Sequence, residues 1–589
     1  MPTAINPKTA GGLFLIEDLS PHDVFTPEDL TEEHRDIART AREFFDKEVV
    51  PHIEEMQYGN FDAAVALLRK AAALGLESVI TPERWGGMEM DLTSMMMVAE
   101  QFARDGSFAG WHGAHAGIGT LPLLLFGTEA QKQKYLPRIS SCELIAAYCL
   151  SEPQAGSDAL AARTRADLSP DGTHYVLNGQ KMWITNGGKA DIFTVFAKIH
   201  TNEPDGEQFS AFLVERAFPG VSNGAEEKKM GIKGSSTTPI FFDNVPVPVE
   251  NLLGEAGRGH IIAFNILNIG RLKLGAFAVG GAKNVLQISL AYAKDRRAFG
   301  TTISQFGMIR HKLAEMAIRL FAVESMTYRV EGLIKSHLED FSWGDQSSEP
   351  DASRRMMKAV EEFAAECSII KVYASEMLDY VVDEGVQIHG GYGYHQDYAV
   401  ERAYRDSRIN RIFEGTNEIN RLVITGMLLK RAQQGRLGLV KAAKNLMDEV
   451  LSGPSAGGDL VSPLVSNAKK IVLLLMALAF EKYGAQLEKQ QEVMAGIADA
   501  IMETFAMESA RLRSQKNGVA ADICTVLLPD AMARIEMLAR PVLAACSEGD
   551  ALRANLAVLR RFAKFEPPDS IALRERIAER LLAAGRYVV

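Results

Sequence analysis

The stretch Arg408–Arg421, RINRIFEGTNEINR, decides how the chain is read. It sets one carboxylate, Glu414, after two apolar side chains, Ile412 and Phe413, and directly before Gly415-Thr416-Asn417. A carboxylate held against apolar groups is a poor ion, so its pKa rises and it becomes a usable base near neutral pH. Gly415 lets backbone approach a ligand closely, and Thr416 and Asn417 offer short hydrogen-bonding groups. The plain alternative is a helix ending at Gly415 with a solvated glutamate in its last turn, since glycine commonly terminates helices. The rest of the chain has to choose between the two.

At 589 residues the chain is too long for one compact core, and roughly two to four domains are expected. With 47% hydrophobic and 24% charged residues it is an ordinary globular composition. A net charge of −11 argues against nucleic acid as a partner, whose binders are basic. The five cysteines (142, 149, 367, 524, 546) show no metal-ligand spacing, which suggests a reducing compartment and no disulfide framework. The first residues lack a basic region followed by a long apolar one, so a secretory signal is not expected. The longest apolar run, Ile471–Phe480, is too short to span a bilayer. Together these favour a bacterial-type cytoplasmic protein.

Proline and glycine make residues 1–30 an irregular arm. Residues 31–143 read as a helical domain, opened by a capping-box pattern at Thr31–His34, with a helix end expected at Pro51. Residues 144–256 read as β. There, Tyr175–Trp183 looks like two strands joined by an Asn178-Gly179 hairpin turn. Helical patterns return over 257–430, at 259–295, 304–337, 351–384 and 397–430, with a loop at 339–350. A further helical extension fills 431–589, interrupted by a flexible link at 452–459. The overall class is α+β and multidomain. The segment 551–589 carries eight Lys/Arg against four Asp/Glu. It reads as helices packed on the body or on a second subunit; a basic amphipathic helix on an anionic membrane is the alternative.

Two further motifs accompany Glu414. Tyr148–Asp158, YCLSEPQAGSD, is a loop at the junction of helices and strands, with Ser151, Ser157 and backbone N–H groups available to an electron-rich ring or a phosphate. Lys181–Gly187, KMWITNG, sets Trp183 and Thr185 two apart on a strand, where alternate residues share a face. Core packing is the plain reading of Trp183. His112, His115 and His389 match no known metal spacing, and no metal is expected.

These motifs, together with Asp295–Gly300 (DRRAFG) and Gln387–Gly391 (QIHGG), occur in an order and spacing that resemble the acyl-CoA dehydrogenase family over residues 30–430. The extension resembles that of the very-long-chain branch. The resemblance implies an N-terminal helical domain, a middle β domain, a four-helix-bundle-type domain, bound FAD and an acyl-CoA substrate. It implies that Glu414 removes the α-proton of the thioester. Tyr148, Leu150, Ser151, Gly156 and Ser157 would line the flavin, with Ser157 also near the substrate. Trp183, Ile184 and Thr185 would pack on its ring, and Thr416, Asn417 and Glu418 would close on FAD from beyond the base. Arg296, Phe299, Gln387, Ile388, Gly390 and Gly391 would reach the FAD of a neighbouring subunit. Asn268, Arg271 and Gly415 would meet the substrate.

Some branches of the family place the base just before the arginine matching Arg271; here that position is Gly270. Of two glycines that open the acyl pocket of the very-long-chain branch, Gly119 matches the first and Pro122 stands at the second. The implied function is α,β-dehydrogenation of long-chain acyl-CoA to trans-2-enoyl-CoA in fatty-acid β-oxidation. Electrons would pass to an electron-transfer flavoprotein. The protein would be a homodimer or a dimer of dimers, with peripheral contact at the inner membrane face through its C-terminal region. A scaffold or assembly protein on the same fold, and an oxidase, are the alternatives.

Overall fold

The computed structural model describes residues 10–200, 206–338, 340–344, 349–452, 464–518 and 520–589. Thr31 caps helix α1 (Glu32–Phe44) as expected: its hydroxyl accepts from the His34 amide, and His34 Nδ1 accepts from the Thr31 amide. Pro51 does not end this segment. The backbone widens into a π-turn at Phe45–Val49, tightens into a 3-10 turn at Val50–His52, and continues as α2 (Ile53–Gln57). The change of pitch accommodates a proline that an α-helical ladder would not. Helices α3 (Phe61–Ala72), α4 (Leu92–Phe102), α5 (Gly106–His112), α6 (Leu121–Phe126) and α7 (Glu129–Ser140) complete the first layer. Every residue of α4 is buried, which places it between other helices rather than on the surface.

The sheet that follows contains β1 (Ala146–Cys149), β2 (Arg165–Leu168), β3 (His174–Thr185), β4 (Ile192–His200), β5 (Glu207–Glu215), β6 (Val221–Asn223), β7 (Thr237–Pro248) and β8 (Leu252–Leu253). Its order is β6-β7-β3-β2-β4-β5-β8, with β1 parallel to β4. The expected hairpin within Tyr175–Trp183 does not form. His174–Thr185 is a single strand, and Asn178-Gly179 marks an irregularity in its pairing with β7. Both halves of β3 find partners along the length of β7, so reversing at Asn178 would forfeit half the ladder. The Asn178 side chain instead accepts a hydrogen bond from the Asn244 amide at 2.9 Å.

The second helical layer is α8 (Gly259–Asp295), α9 (Gly307–Ser336), α10 (Glu349–Glu362), α11 (Ala364–His389), α12 (Ala399–Ser407) and α13 (Asn417–Gln433). Among the described residues, α8 alone is long and apolar enough to cross a membrane. Its most apolar window is 72% buried, so its apolar surface is used by packing inside the protein. The expected helix over 397–430 is two helices, and the segment between them, 408–416, carries Glu414.

The extension comprises α14 (Leu439–Ser452), α15 (Leu464–Tyr483), α16 (Gln491–Asn517), α17 (Ala521–Cys546), α18 (Gly549–Phe562) and α19 (Ser570–Ala584). The link expected at 452–459 lies, beyond Ser452, outside the described residues, as do parts of the 339–350 loop. Helix α16 packs on α9 and α13, where Arg329 donates to Glu508 at 2.7 Å and both are buried. In α19, Arg574 pairs with Glu315 of α9 and with Asp530, and Arg580 pairs with Asp522. Through these side chains α19 packs on the body.

The arm is more ordered than its prolines suggest. Residues 10–30 form short 3-10 turns, bury Phe14 and Leu15, and lie between bundle and extension. Phe14 meets Phe505 edge-on at 4.7 Å, Lys469 donates to the Glu17 carbonyl, and Arg513 binds Glu28.

Candidate active site

Glu414 sits in the gap between α12 and α13 with φ of +60°, and Gly415 follows with φ of +81°. A left-handed glutamate costs about 1–2 kcal/mol, so its surroundings must hold it. Arg271 Nε donates to the Glu414 carbonyl at 3.1 Å, and Asn420 Nδ2 donates to the carbonyls of Gly415 and Thr416 at 2.8 and 3.0 Å. Thr416 caps α13 by accepting from the Ile419 amide. The solvated-last-turn reading of Glu414 is thereby set aside.

The carboxylate itself faces a cavity of about 2020 Å³ between the two helical layers and the sheet. Its Oε2 is shielded from water and, among the described residues, has no hydrogen-bond partner. Burial raises its pKa to about 7, against the opposing pull of Arg271 and Lys371. Space for it comes from Gly270: a Cβ there would lie 2.8 Å from Glu414 Oε2. Ile412 and Phe413 line the same cavity while keeping some outer exposure.

The sheet supplies the opposite wall. At Trp183 the backbone turns to φ of +58° and the register with β7 shifts between Lys181 and Ile184. This irregularity brings Trp183, Ile184 and Thr185 all to the cavity, where strict alternation would deliver only the first and third. Tyr148 of β1 lines it too, with Leu150, Ser151, Gly156 and Ser157 of the loop that follows. A salt bridge that the sequence reading did not find holds that loop in place. Glu152 binds Lys181 Nζ at 2.7 Å, both almost fully buried, and accepts from the amides of Arg163 and Thr164. Lys181 Nζ also donates to the Leu150 carbonyl. No spacing rule links residues 29 apart; the one sequence sign was a lysine within an otherwise strand-like run.

This wall suits a large flat ring with a polar edge. The Trp183 indole is 59% exposed, the Tyr148 hydroxyl is buried with no partner among the described residues, and the space beside Gly156 is open.

Asn268, Arg271, Gly415 and Thr416 join the same cavity. Arg271 is buried and spends its donors on the Glu414 carbonyl, Asn268 and Ser368. Asn417 turns away from the cavity: it accepts from Lys371 Nζ at 2.6 Å and donates to Ser375 and Glu376. Glu418 is exposed outside the cavity wall. Arg296, Ile388, Gly390 and Gly391 are gathered elsewhere, in a separate concavity of about 670 Å³ with Tyr292 and Tyr392. Phe299 stands 96% exposed nearby, on a short ribbon pairing Arg297–Ala298 with Thr301–Thr302, and Gln387 lies outside both linings.

Four family descriptions match the chain: "Acyl-CoA dehydrogenase, N-terminal domain" over 31–143, "middle domain" over 147–245, and "C-terminal domain" twice, over 257–429 and 467–561. The chain belongs to the acyl-CoA dehydrogenase family. A "Probable acyl-CoA dehydrogenase" of Bacillus subtilis is 47% identical, covering 98% of each chain. The human "Very long-chain specific acyl-CoA dehydrogenase, mitochondrial" is 37% identical over 76% of this chain and 69% of that one. A crystal structure of an acyl-CoA dehydrogenase complexed with FAD, from Bacillus anthracis, superposes with a TM-score of 0.95 at 47% identity, covering 98% of this chain and 100% of that one. Both acyl-CoA dehydrogenases from Bacillus thus share the extension as well as the core.

Proposed function

We propose that the chain is an FAD-dependent dehydrogenase of long-chain acyl-CoA thioesters, forming trans-2-enoyl-CoA in fatty-acid β-oxidation. The observation that carries this is Glu414: a carboxylate whose pKa lies near 7, aimed into a cavity opposite an exposed tryptophan. Trp183 and Thr185 would hold the flavin ring, and Tyr148 and Ser157 its polar edges. Bound FAD supplies the hydride acceptor. The protein supplies position, electrostatics and exclusion of water. Glu414 accepts the α-proton, and the carbonyl oxygen needs donors where enolate charge develops. The long-chain assignment is supported by the very-long-chain relative. Gly119 does not line the cavity: a Cβ there would strike the Ala114 carbonyl at 2.5 Å, so its role is close packing on β1.

Anaerobic titration with acyl-CoAs of increasing chain length tests the proposal. Bleaching of flavin absorbance supports it, and a fully loaded flavin that no acyl-CoA reduces removes it. The rate of bleaching rises with pH through about 7, because only ionised Glu414 accepts the proton and burial holds its pKa there. A rate flat between pH 6 and 8 would assign proton removal to another group.

An electron-transfer flavoprotein is the acceptor we infer; rapid peroxide formation without added acceptor would indicate an oxidase instead. We also infer a homodimer, supported by the exposed Phe299 beside the second concavity, and a monomer mass by light scattering would exclude it. Arg560, Lys564, Arg576 and Arg586 are exposed and, among the described residues, form no ion pair. They support peripheral contact with an anionic membrane, which failure to sediment with anionic vesicles would exclude.

A further inference from the structure

Lys371 of α11 is buried beside the segment that carries the base. Its Nζ donates to Asn417 Oδ1 at 2.6 Å. Asn417 stands three residues beyond Glu414 and opens α13. Its own amide group donates to Ser375 Oγ at 3.1 Å and to Glu376 Oε1 at 3.0 Å. These bonds fix the first turn of α13 on α11. They also hold the lysine side chain at one place against the loop from Glu414 to Asn417.

The charges around Lys371 make Glu414 its counter-ion. Glu376, on the same helix, is taken by Arg421: Nη1 lies 2.9 Å from Glu376 Oε1, and Nε donates to Asp499 of α16 at 2.7 Å. Glu418 of α13 is exposed, where water and salt screen it. Tyr148, from β1, faces Glu414 but is kept neutral by burial. Arg271, from α8, adds its charge to that of Lys371 at Glu414, and spends its donors on the Glu414 carbonyl, Asn268 and Ser368. Among these charges Glu414 acts on Lys371 most strongly. Burial lifts Glu414 to about 7 and lowers Lys371 to about 7, and each favours the charged form of the other. Two interacting groups that titrate in one range share their steps, so the midpoint belongs to the pair.

We propose that Lys371, held by Asn417, is a positioning residue for the base, its charge setting the pH at which the Glu414 carboxylate becomes able to take a proton. Its meaning for catalysis rests on the dehydrogenase reading; the first of two measurements does not. In that one, the infrared band of the protonated carboxyl that Glu414→Gln removes is titrated with pH, without substrate, in wild type, Lys371→Met and Lys371→Arg. In the second, anaerobic bleaching of the flavin by hexadecanoyl-CoA is followed over the same pH range. Removing a neighbouring cation disfavours the ionised carboxylate, so in Lys371→Met both midpoints rise by about one pH unit. The rate above the midpoint is kept or gains, because a more basic carboxylate accepts a proton more readily. Lys371→Arg stays charged at every pH used, so its midpoints stay at the wild-type values or fall. A merely structural role would lower the upper rate and leave the midpoints in place. Should Lys371→Met fail to fold, Lys371→Gln replaces it, since its amide can still donate to Asn417. Midpoints unchanged in the uncharged variant, or raised as far in Lys371→Arg as in Lys371→Met, would overturn the proposal. If the infrared midpoint rises but no acyl-CoA bleaches the wild-type flavin, the dehydrogenase reading fails while the link from Lys371 to Glu414 stands.

Discussion

Glu414→Gln yields a protein that still binds FAD but whose flavin acyl-CoA bleaches roughly 10²–10⁴-fold more slowly. The amide has the shape of the carboxylate, so it still fits beside Gly270 and the loop keeps its bonds from Arg271 and Asn420. What it lacks is a lone pair basic enough to take the α-proton. Immediately before Arg271, where the family resemblance puts the base of other branches, stands Gly270, which carries no base. Stopped-flow absorbance under anaerobic conditions reads the rate directly, and retained yellow colour reports that the site is intact. Bleaching at the wild-type rate would remove Glu414 from its assigned role.

Lys181→Met destabilises the protein by roughly 3–5 kcal/mol, because it leaves the buried Glu152 carboxylate without its cation. The loss falls on the loop that carries Tyr148, Ser151 and Ser157, so flavin release should precede global unfolding on heating. Flavin fluorescence and circular dichroism, followed together, separate the two events. The double change Glu152→Gln/Lys181→Met recovers part of the stability, since it removes the unpaired charge itself. A single variant within about 1 kcal/mol of wild type would show that water satisfies Glu152 and that the pair does not hold the loop.

Much of the cavity lining was legible because it is written in contiguous motifs. RIFEGTNEI, YCLSEPQAGSD and KMWITNG each deliver side chains to one cavity. The order α, then β, then α was legible from the change of hydrophobic period. Asn178-Gly179 misled because the same dipeptide serves a hairpin turn and a strand irregularity; the choice depends on whether a partner strand continues, and β7 does. The same-face argument named Trp183 and Thr185, both of which line the cavity, but left out Ile184, since no local signal announces the backbone turn at Trp183. Asn417 was assigned to the flavin from its motif, yet Lys371, Ser375 and Glu376, all on α11, claim its side chain. Pairs such as Glu152 with Lys181, and the chain of contacts from Lys371 to Asp499, join residues that only folding brings together. Pattern reading has no purchase on them.

The seating of residues 10–30 has a consequence for synthesis on the ribosome. Glu17 waits for Lys469, a separation of 452 residues. At roughly 5–20 residues per second that is a delay on the order of 20–90 s. Throughout it, Phe14 and Leu15 have no finished surface to cover them. Helices α15 and α16, made long after it, are thus the ones that seal this segment, and a nascent chain stopped before α16 would carry residues 10–30 unsealed.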